Sequence, residues 1–324
     1  MVYGVNRMIA TDMQNIEALK GKDLLKLADY TPELIETLIY LADDMKKNKE
    51  NYSEALKGQL LGMIFEKHST RTRVSFEAAM IQLGGHGMFL SSNDMQIGRG
   101  ETIEDTGKVL SGYLDGIMIR THSHSRIEAL AEAANIPVIN GLTDLYHPCQ
   151  ALADLLTVYE VKGQFKGVKM VYVGDGNNVA HSLMIGSLMV GMDFTLAAPA
   201  GYEAAPQIVE IAKGISEQTG AKLEFVEDPQ EAVKGADFIY TDVWTSMGQE
   251  EEAEARLKAF APYQVNEQLL SIANPDCKFM HCLPAHRGEE VSAGVMDGEA
   301  SVVFQQAENR MHAQKAVLYG AMKK

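Results

Sequence analysis

Leu60-Leu61-Gly62-Met63-Ile64-Phe65-Glu66-Lys67-His68-Ser69-Thr70-Arg71-Thr72-Arg73-Val74 passes from an apolar run through a hydroxyl-rich turn into a helical pattern. Leu60 to Phe65 reads as a buried strand. Val74, Ala78, Ile81 and Leu83 recur at helical spacing, with Gly84-Gly85 as a stop, so the spacing predicts a helix over about 71–83. A helix start offers unpaired backbone N–H groups and the positive end of the macrodipole, a natural seat for a phosphate. Three hydroxyls and a guanidinium add to that seat. Taken alone, the same residues would serve as an N-cap followed by a solvated Arg.

The chain around this unit repeats the pattern. Tyr30 to Lys47 has helical spacing (Leu34, Leu38, Leu41, Met45) opened by Thr31-Pro32. Glu104 to Tyr113 reads as a helix, Gly116 to Ile119 as a strand with Arg120 at its end, Ile127 to Ala134 as a helix and Ile136 to Ile139 as a strand. His147-Pro148 opens a helix to about Val161. A second series begins at Val168: strand 168–173, turn 174–176, helix 178–190, strand 193–198, helix 205–218, strand 222–226, a short helix near 230 and strand 238–243. A strand over 278–281 and a last helix from Ala307 to Met322 complete it; Glu250 to Glu254 reads as a solvated helix start, and a mobile start with no assignable role is expected at the N-terminus. Strands alternating with helices imply an α/β fold of doubly wound domains, each a parallel sheet covered by helices on both faces.

Composition narrows the function. At 324 residues the chain exceeds one ordinary core, so two domains are expected. No apolar run reaches the ~20 residues that span a bilayer, and the first residues resemble neither a signal nor a transit peptide. Three cysteines without framework spacing suit reduced thiols in a cytoplasmic protein. A formal charge of -15 argues against nucleic-acid and anionic-membrane partners. An acidic protein that takes a small anion must gather its arginines locally.

Ligands of doubly wound folds sit outside the carboxyl ends of the strands, and five groups fall there: Ser69 to Thr72, Arg120, His147 to Gln150, Asp242 to Met247, and Cys282-Leu283. Arg120 could pair with Asp115 or grip an anion with bidentate donors. His147 and Gln150, one turn apart at a helix start, could cap that helix or polarise a carbonyl as an oxyanion hole does. Gly174-Asp175-Gly176-Asn177-Asn178 has the G-x-G of a dinucleotide turn, but Val179 occupies the third glycine position. Asn178 could cap the following helix or present its amide to a ligand. Asp242 suits an ammonium group. Cys282, at a strand end, could be inert core or a site residue. His122/His124 and Cys277/Cys282 lack metal-site spacing, so neither a metal nor a cofactor is expected.

Together these pieces resemble the aspartate/ornithine carbamoyltransferase family over residues from about 22 to the end. Ser69-Thr70-Arg71-Thr72, Arg120 and His147-Pro148-Cys149-Gln150 match elements shared by the family. Phe279-Met280-His281-Cys282-Leu283-Pro284 and Asp242-Val243-Trp244-Thr245-Ser246-Met247-Gly248 look like those of its ornithine branch. An aspartate enzyme is expected to carry Pro where Cys282 stands, and a putrescine enzyme to lack the Ser-Met-Gly loop. His68 is a small departure, where the family often has Pro or a small residue.

The resemblance implies transfer of a carbamoyl group from carbamoyl phosphate to L-ornithine, giving citrulline and phosphate in arginine metabolism. It implies that Ser69, Thr70, Arg71, Thr72, Gln96, Arg120, His147, Pro148, Cys149, Gln150 and Arg310, with Cys282 and Leu283, meet carbamoyl phosphate. Asn178, Asp242, Ser246 and Met247 would hold ornithine, and Arg120, His147, Asp242 and Cys282 would carry catalysis. It further implies a carbamoyl-phosphate domain over 1–147, with 306–324 packing back on it, and an ornithine domain over 148–305. Gln96 would reach a neighbouring subunit, which implies a homotrimer with shared sites. The chief reading of a different class is a non-catalytic dinucleotide or anion sensor, which leaves Arg71, Arg120 and Arg310 without a task.

Overall fold

The computed structural model describes residues 8–97, 100–245 and 250–324. The chain forms two compact units, Met1–Leu156 with Arg310–Lys324, and Thr157–Asn309. Each is built on one parallel sheet.

The first sheet holds β1 (Leu60–Phe65), β2 (His86–Ser91), β3 (Gly116–Arg120) and β4 (Val138–Leu142), ordered β2-β1-β3-β4. Every residue of β3 is buried, and β1 is buried beyond Leu60, as parallel strands covered on both faces require. Ile64, Ile117, Ile119, Ile127, Leu130 and Val138 form one apolar cluster beside them. The second sheet holds β5 (Lys169–Val173), β6 (Asp193–Ala197), β7 (Leu223–Val226), β8 (Phe238–Thr241) and β9 (Lys278–His281), ordered β7-β6-β5-β8-β9. Its core gathers Val171, Val173, Ile239, Phe260 and Phe279.

Strand order reverses between β1 and β3 in the first sheet and between β5 and β8 in the second. Such switch points open a crevice at the strands' carboxyl ends. The turn Ser69 to Thr72 follows β1, and Arg120 ends β3. The turn Gly174 to Asn177 follows β5, and Asp242 follows β8. Topology alone therefore brings the predicted residues to the two places where such folds bind ligands.

The final helix, Val303–Met322, returns to the first unit. There Gly21 N donates to Ala321 O at 2.9 Å, and Lys315 Nζ to Met45 O at 3.2 Å and Gln82 Oε1 at 3.3 Å. The helix begins four residues before the expected Ala307. The division between units runs through it and through Pro148–Lys162, two continuous helices in which no loop marks a boundary. The helix Met8–Leu19 and strand β2 were not expected from the sequence. Only Gly87 of β2 is buried, so the strand lacks the unbroken apolar run of a central one. Residues 136–139 were expected as a strand; β4 starts at Val138, since Pro137 has no N–H to give a ladder. Among the described residues no helix is long and apolar enough to cross a membrane.

Candidate active site

In the first unit Ser69 is the N-cap of the helix Thr70–Gln82. Its hydroxyl accepts from Thr72 N at 3.2 Å and donates to Thr72 Oγ1 at 3.1 Å. Thr72 Oγ1 also accepts from Arg310 Nη2 at 2.9 Å, so two donors orient the Thr72 hydroxyl and its own proton remains for a further acceptor. Arg310 Nη1 donates to Gln150 Oε1, and Gln150 Nε2 donates to Asp154 Oδ1 at 2.8 Å. A guanidinium only donates and a carboxylate only accepts, so the orientation of the Gln150 amide is unambiguous. Thr72, Gln150, Asp154 and Arg310 are all buried.

His147 lies inside this network. Its backbone carbonyl starts the helix Pro148–Lys162, accepting from Gln150 N at 3.1 Å and Ala151 N at 3.2 Å. Its imidazole Nε2 faces Arg310 Nη1 at 3.4 Å. Because arginine cannot accept, that contact requires a lone pair on Nε2 and the ring proton on Nδ1. Burial, then the positive charges of Arg310, Arg120 and Arg71, hold this imidazole well below the ordinary histidine range. The ring is therefore neutral at physiological pH and can donate a hydrogen bond without carrying charge of its own.

Arg120 is buried at the end of β3, where the pairing with β4 shifts register between Ile119 and Arg120. A bulge of this kind re-aims a side chain at a strand's end. Asp115, the sequence alternative as its partner, is occupied elsewhere: it accepts from Leu60 N at 2.9 Å and lies 3.0 Å from Lys324 Nζ. Lys67 joins the group, its ammonium held below the usual lysine range by burial and then by Arg120. Four cations drawn together in so acidic a chain make a seat for an anion of more than one charge. Cys149 is buried, its thiol donating to Asn140 O at 3.4 Å and pushed up to about 12 by burial, so its side chain serves packing. Thr70 and Gln96 are exposed, Gln96 on the loop after β2.

In the second unit Asp242 is the centre. Its Oδ1 accepts from Val243 N at 2.8 Å and from the Cys282 thiol at 3.0 Å, and its Oδ2 accepts from Asn177 Nδ2 at 3.0 Å. Asn177, not Asn178, caps the helix Asn178–Met189, accepting from Val179 N at 2.9 Å and Ala180 N at 3.1 Å; Asn178 is that helix's first residue. Tyr172 Oη donates to the same Asn177 oxygen at 3.2 Å, and burial keeps that phenol well above its ordinary range. Cys282 is half-buried and bonded to a site carboxylate, unlike the buried Cys277. Ser246 and Met247 lie outside the described residues.

The two glycines of the turn after β5 have structural reasons of their own. Gly174 takes φ +139, and a Cβ at Gly176 would collide with the Glu203–Ala204 backbone. Between them Asp175 pairs with Arg256, and burial outweighs that partner to push its carboxyl up to about 6. The G-x-G is thus accounted for without a nucleotide.

Several residues with a part here were given none in the sequence reading: Asn177 and His281, though they lie within quoted stretches, and Lys67, Asp154 and Glu290. Lys67 could have been found by the same strand-end rule that found Arg120. Among the described residues two groups offer ligand atoms within 4.8 Å of one another, Asp242/His281/Cys282 and His286/Glu289/Glu290. In the first, both imidazole nitrogens of His281 are engaged, by Leu283 N and by Glu290. A cation there would have to break those bonds.

Known proteins resemble the chain along most of its length. A family model described as aspartate/ornithine carbamoyltransferase, carbamoyl-P binding domain, matches residues 22–160, and one described as the Asp/Orn binding domain matches 166–320. The chain is 62% identical to an ornithine carbamoyltransferase of Oceanobacillus iheyensis over 308 residues, 94% of this chain and 96% of that one. It is 60% identical to one of Bacillus subtilis over 301 residues, 93% and 94% of the two chains. The solved ornithine carbamoyltransferase of Pyrococcus furiosus superposes with a TM-score of 0.91 at 56% identity, covering 94% of this chain and 98% of its own.

Proposed function

The chain belongs to the aspartate/ornithine carbamoyltransferase family, and on that premise we propose that it is an ornithine carbamoyltransferase. It transfers the carbamoyl group of carbamoyl phosphate to the side-chain amine of L-ornithine, giving L-citrulline and phosphate. The observation that carries this reading is the buried Arg310 fork, which ties Thr72 of the capped helix start to Gln150 and faces the His147 imidazole.

Carbamoyl phosphate has a poorly electrophilic carbonyl and a dianionic leaving group, so its enzyme must polarise the first and neutralise the second. In our assignment Ser69, Thr70, Arg71 and Thr72 hold the phosphate at the helix start, where dipole and guanidinium act in the same sense. Arg120, His147 and Thr72 donate to the carbonyl oxygen as charge develops on it, with Gln150 and Arg310 fixing their geometry. Each hydrogen bond to a charged group contributes ~1.5–3 kcal/mol, so several converging donors supply a large part of the catalysis. Pro148 and Cys149 shape the helix start that carries the imidazole.

On the acceptor side we assign Asp242, Asn178 and Cys282 to ornithine and Leu283 to the carbamoyl group. The side-chain amine, with a pKa near that of Lys at ~10.4, must lose a proton before it attacks. Nearby cations favour that loss. The amine nitrogen then bonds to the carbonyl carbon, the carbon–oxygen bond to phosphate breaks, and the departing phosphate takes up the proton.

We further assign the chain to a homotrimer. Exposed Val74 on the helix Thr70–Gln82 and exposed Met88 and Phe89 on the edge strand β2 support this, as does exposed Gln96 on the loop after β2. The three free thiols suit a reducing, cytoplasmic setting. The test is citrulline formation by the purified chain from carbamoyl phosphate and ornithine, with putrescine, aspartate and lysine as competing acceptors. Preference for ornithine is expected; preference for another amine would reassign the substrate, and no phosphate release with any of them would refute the transferase reading.

A further inference from the structure

β9 ends at His281, a fully buried imidazole that the mechanism above leaves unused. Leu283 N donates to its Nδ1 at 2.8 Å, so the lone pair is on Nδ1 and the ring proton on Nε2. That proton faces Glu290 Oε1 at 3.1 Å, and Glu290 is itself fully buried and accepts from His286 N at 2.6 Å. The His281 main chain is held as well: its N donates to Gln306 Oε1 at 2.9 Å, and Gln306 Nε2 donates to Tyr240 Oη at 3.1 Å. The residues that follow are Cys282, whose thiol meets Asp242, and Leu283, at φ +61. A side chain rarely adopts that left-handed conformation unless its surroundings impose it.

We propose that His281 and Glu290 form a positioning pair for the acceptor half of the reaction: Glu290 fixes the imidazole tautomer, the imidazole accepts the Leu283 N–H, and the turn so held aims the Cys282 thiol at Asp242. The pair touches no substrate. The same logic orients the histidine of a hydrolytic triad, where a buried carboxylate sets which ring nitrogen carries the proton. The proposal rests on the reading of Asp242 and Cys282 as ornithine-side residues.

Two substitutions separate positioning from core filling. His281→Asn keeps an acceptor where Nδ1 stands and loses the donor to Glu290. His281→Gln reaches Glu290 and loses the acceptor for Leu283 N. Iodoacetamide labelling of Cys282, read by mass spectrometry, reports the turn independently of turnover, since Cys149 and Cys277 are buried. The expectation is that His281→Asn melts lower yet keeps the Cys282 labelling rate and ornithine KM within about twofold. His281→Gln should label at least about fivefold faster and raise the ornithine KM about tenfold, with the carbamoyl phosphate KM unchanged.

If the two variants label and bind ornithine alike, or track melting temperature alone, the pair is only core and the proposal falls. Should neither fold, Glu290→Asp, which keeps the charge but draws it back from the ring, takes their place. A threefold rise in ornithine KM at unchanged carbamoyl phosphate KM is then expected, and an unchanged ornithine KM overturns the proposal. A wild-type chain that makes no citrulline refutes the transferase reading, while the labelling comparison still judges the turn.

Discussion

Arg310 sends its two terminal nitrogens to different partners, Nη2 to Thr72 and Nη1 to Gln150, and so ties the helix start after β1 to the helix that carries His147. A lysine reaches only one of these, because an ammonium is a point charge and a guanidinium a rigid fork. Losing one charge-assisted bond costs ~1.5–3 kcal/mol, so Arg310→Lys is expected to lower kcat/KM for carbamoyl phosphate about 100-fold; wild-type kinetics would remove Arg310 from the site. His147 gives a second expectation, on stability. Folding lowers its pKa below the ~6.5 of an unfolded chain, so the unfolded state takes up the proton first as pH falls. The stability tied to its neutral form is complete above about pH 6.5 and is lost as acid is added below that, until the folded pKa is reached. The unliganded wild type should therefore lose more melting temperature between pH 7 and pH 5 than His147→Gln does; calorimetry with equal slopes for both would end that account. At this scale Arg71, Arg120 and His147 were legible because a strand's end or a helix's start gives each of them a place. Asp154 and His281 were not, because their parts depend on which atom faces which partner, and sequence carries no orientation.

Elements were legible wherever one period dominated. β1 is a continuous apolar run, β3 is one up to Arg120 and β5 one after Lys169, and the helix Pro32–Lys47 keeps its apolar stripe and Pro at the first position. β2 escaped because an edge strand leaves most of its side chains in the open, and its pattern is blunted by Gly87. The helix Asn178–Met189 was expected, with Asn178 left open as its cap or as a ligand contact; the cap is Asn177, and the two are indistinguishable until the backbone is known. The correction has consequences. Asn177 both ends the orphaned N–H groups of that helix and donates to Asp242, so one side chain serves the element and the site. Asn177→Ala removes both functions and should cost ~1–2 kcal/mol of stability from the cap together with a higher ornithine KM. Asn177→Ser restores an N-cap oxygen but cannot donate to Asp242 across the same gap. Thermal unfolding is thus expected to recover by about 1 kcal/mol in the serine variant while the ornithine KM stays raised. If the serine variant recovers both, the bond to Asp242 has no part in binding ornithine.

At the scale of the whole molecule the question is what covers β2. An edge strand presents unpaired N–H and C=O groups, and natural proteins blunt such edges with charge or cover them. Here the edge instead carries Met88 and Phe89 in the open, 39% and 38% exposed, with Val74 at 59% on the adjoining helix. Arg73 lies over the Phe89 ring at 3.9 Å, a cation set beside the apolar patch. A chain of formal charge -15 repels its own copies at long range, so association needs short-range apolar burial, helped by screening over ~8 Å at physiological salt. In the proposed trimer this patch is covered by a neighbour, and Gln96, on the loop that follows the same strand, reaches that neighbour's site. Phe89→Glu is the telling variant, because the new carboxylate falls beneath Arg73 and gives the single chain an ion pair, so the fold should tolerate it. Light scattering is expected to give three times the 35.5-kDa chain mass for the wild type and a single chain mass for Phe89→Glu. If Gln96 is shared between subunits, the monomer should fold with an unchanged circular dichroism spectrum yet lose most of its turnover, chiefly through a raised carbamoyl phosphate KM. A Phe89→Glu chain that remains trimeric would move the interface off β2, and a monomer that keeps full activity would show that each chain completes its own site.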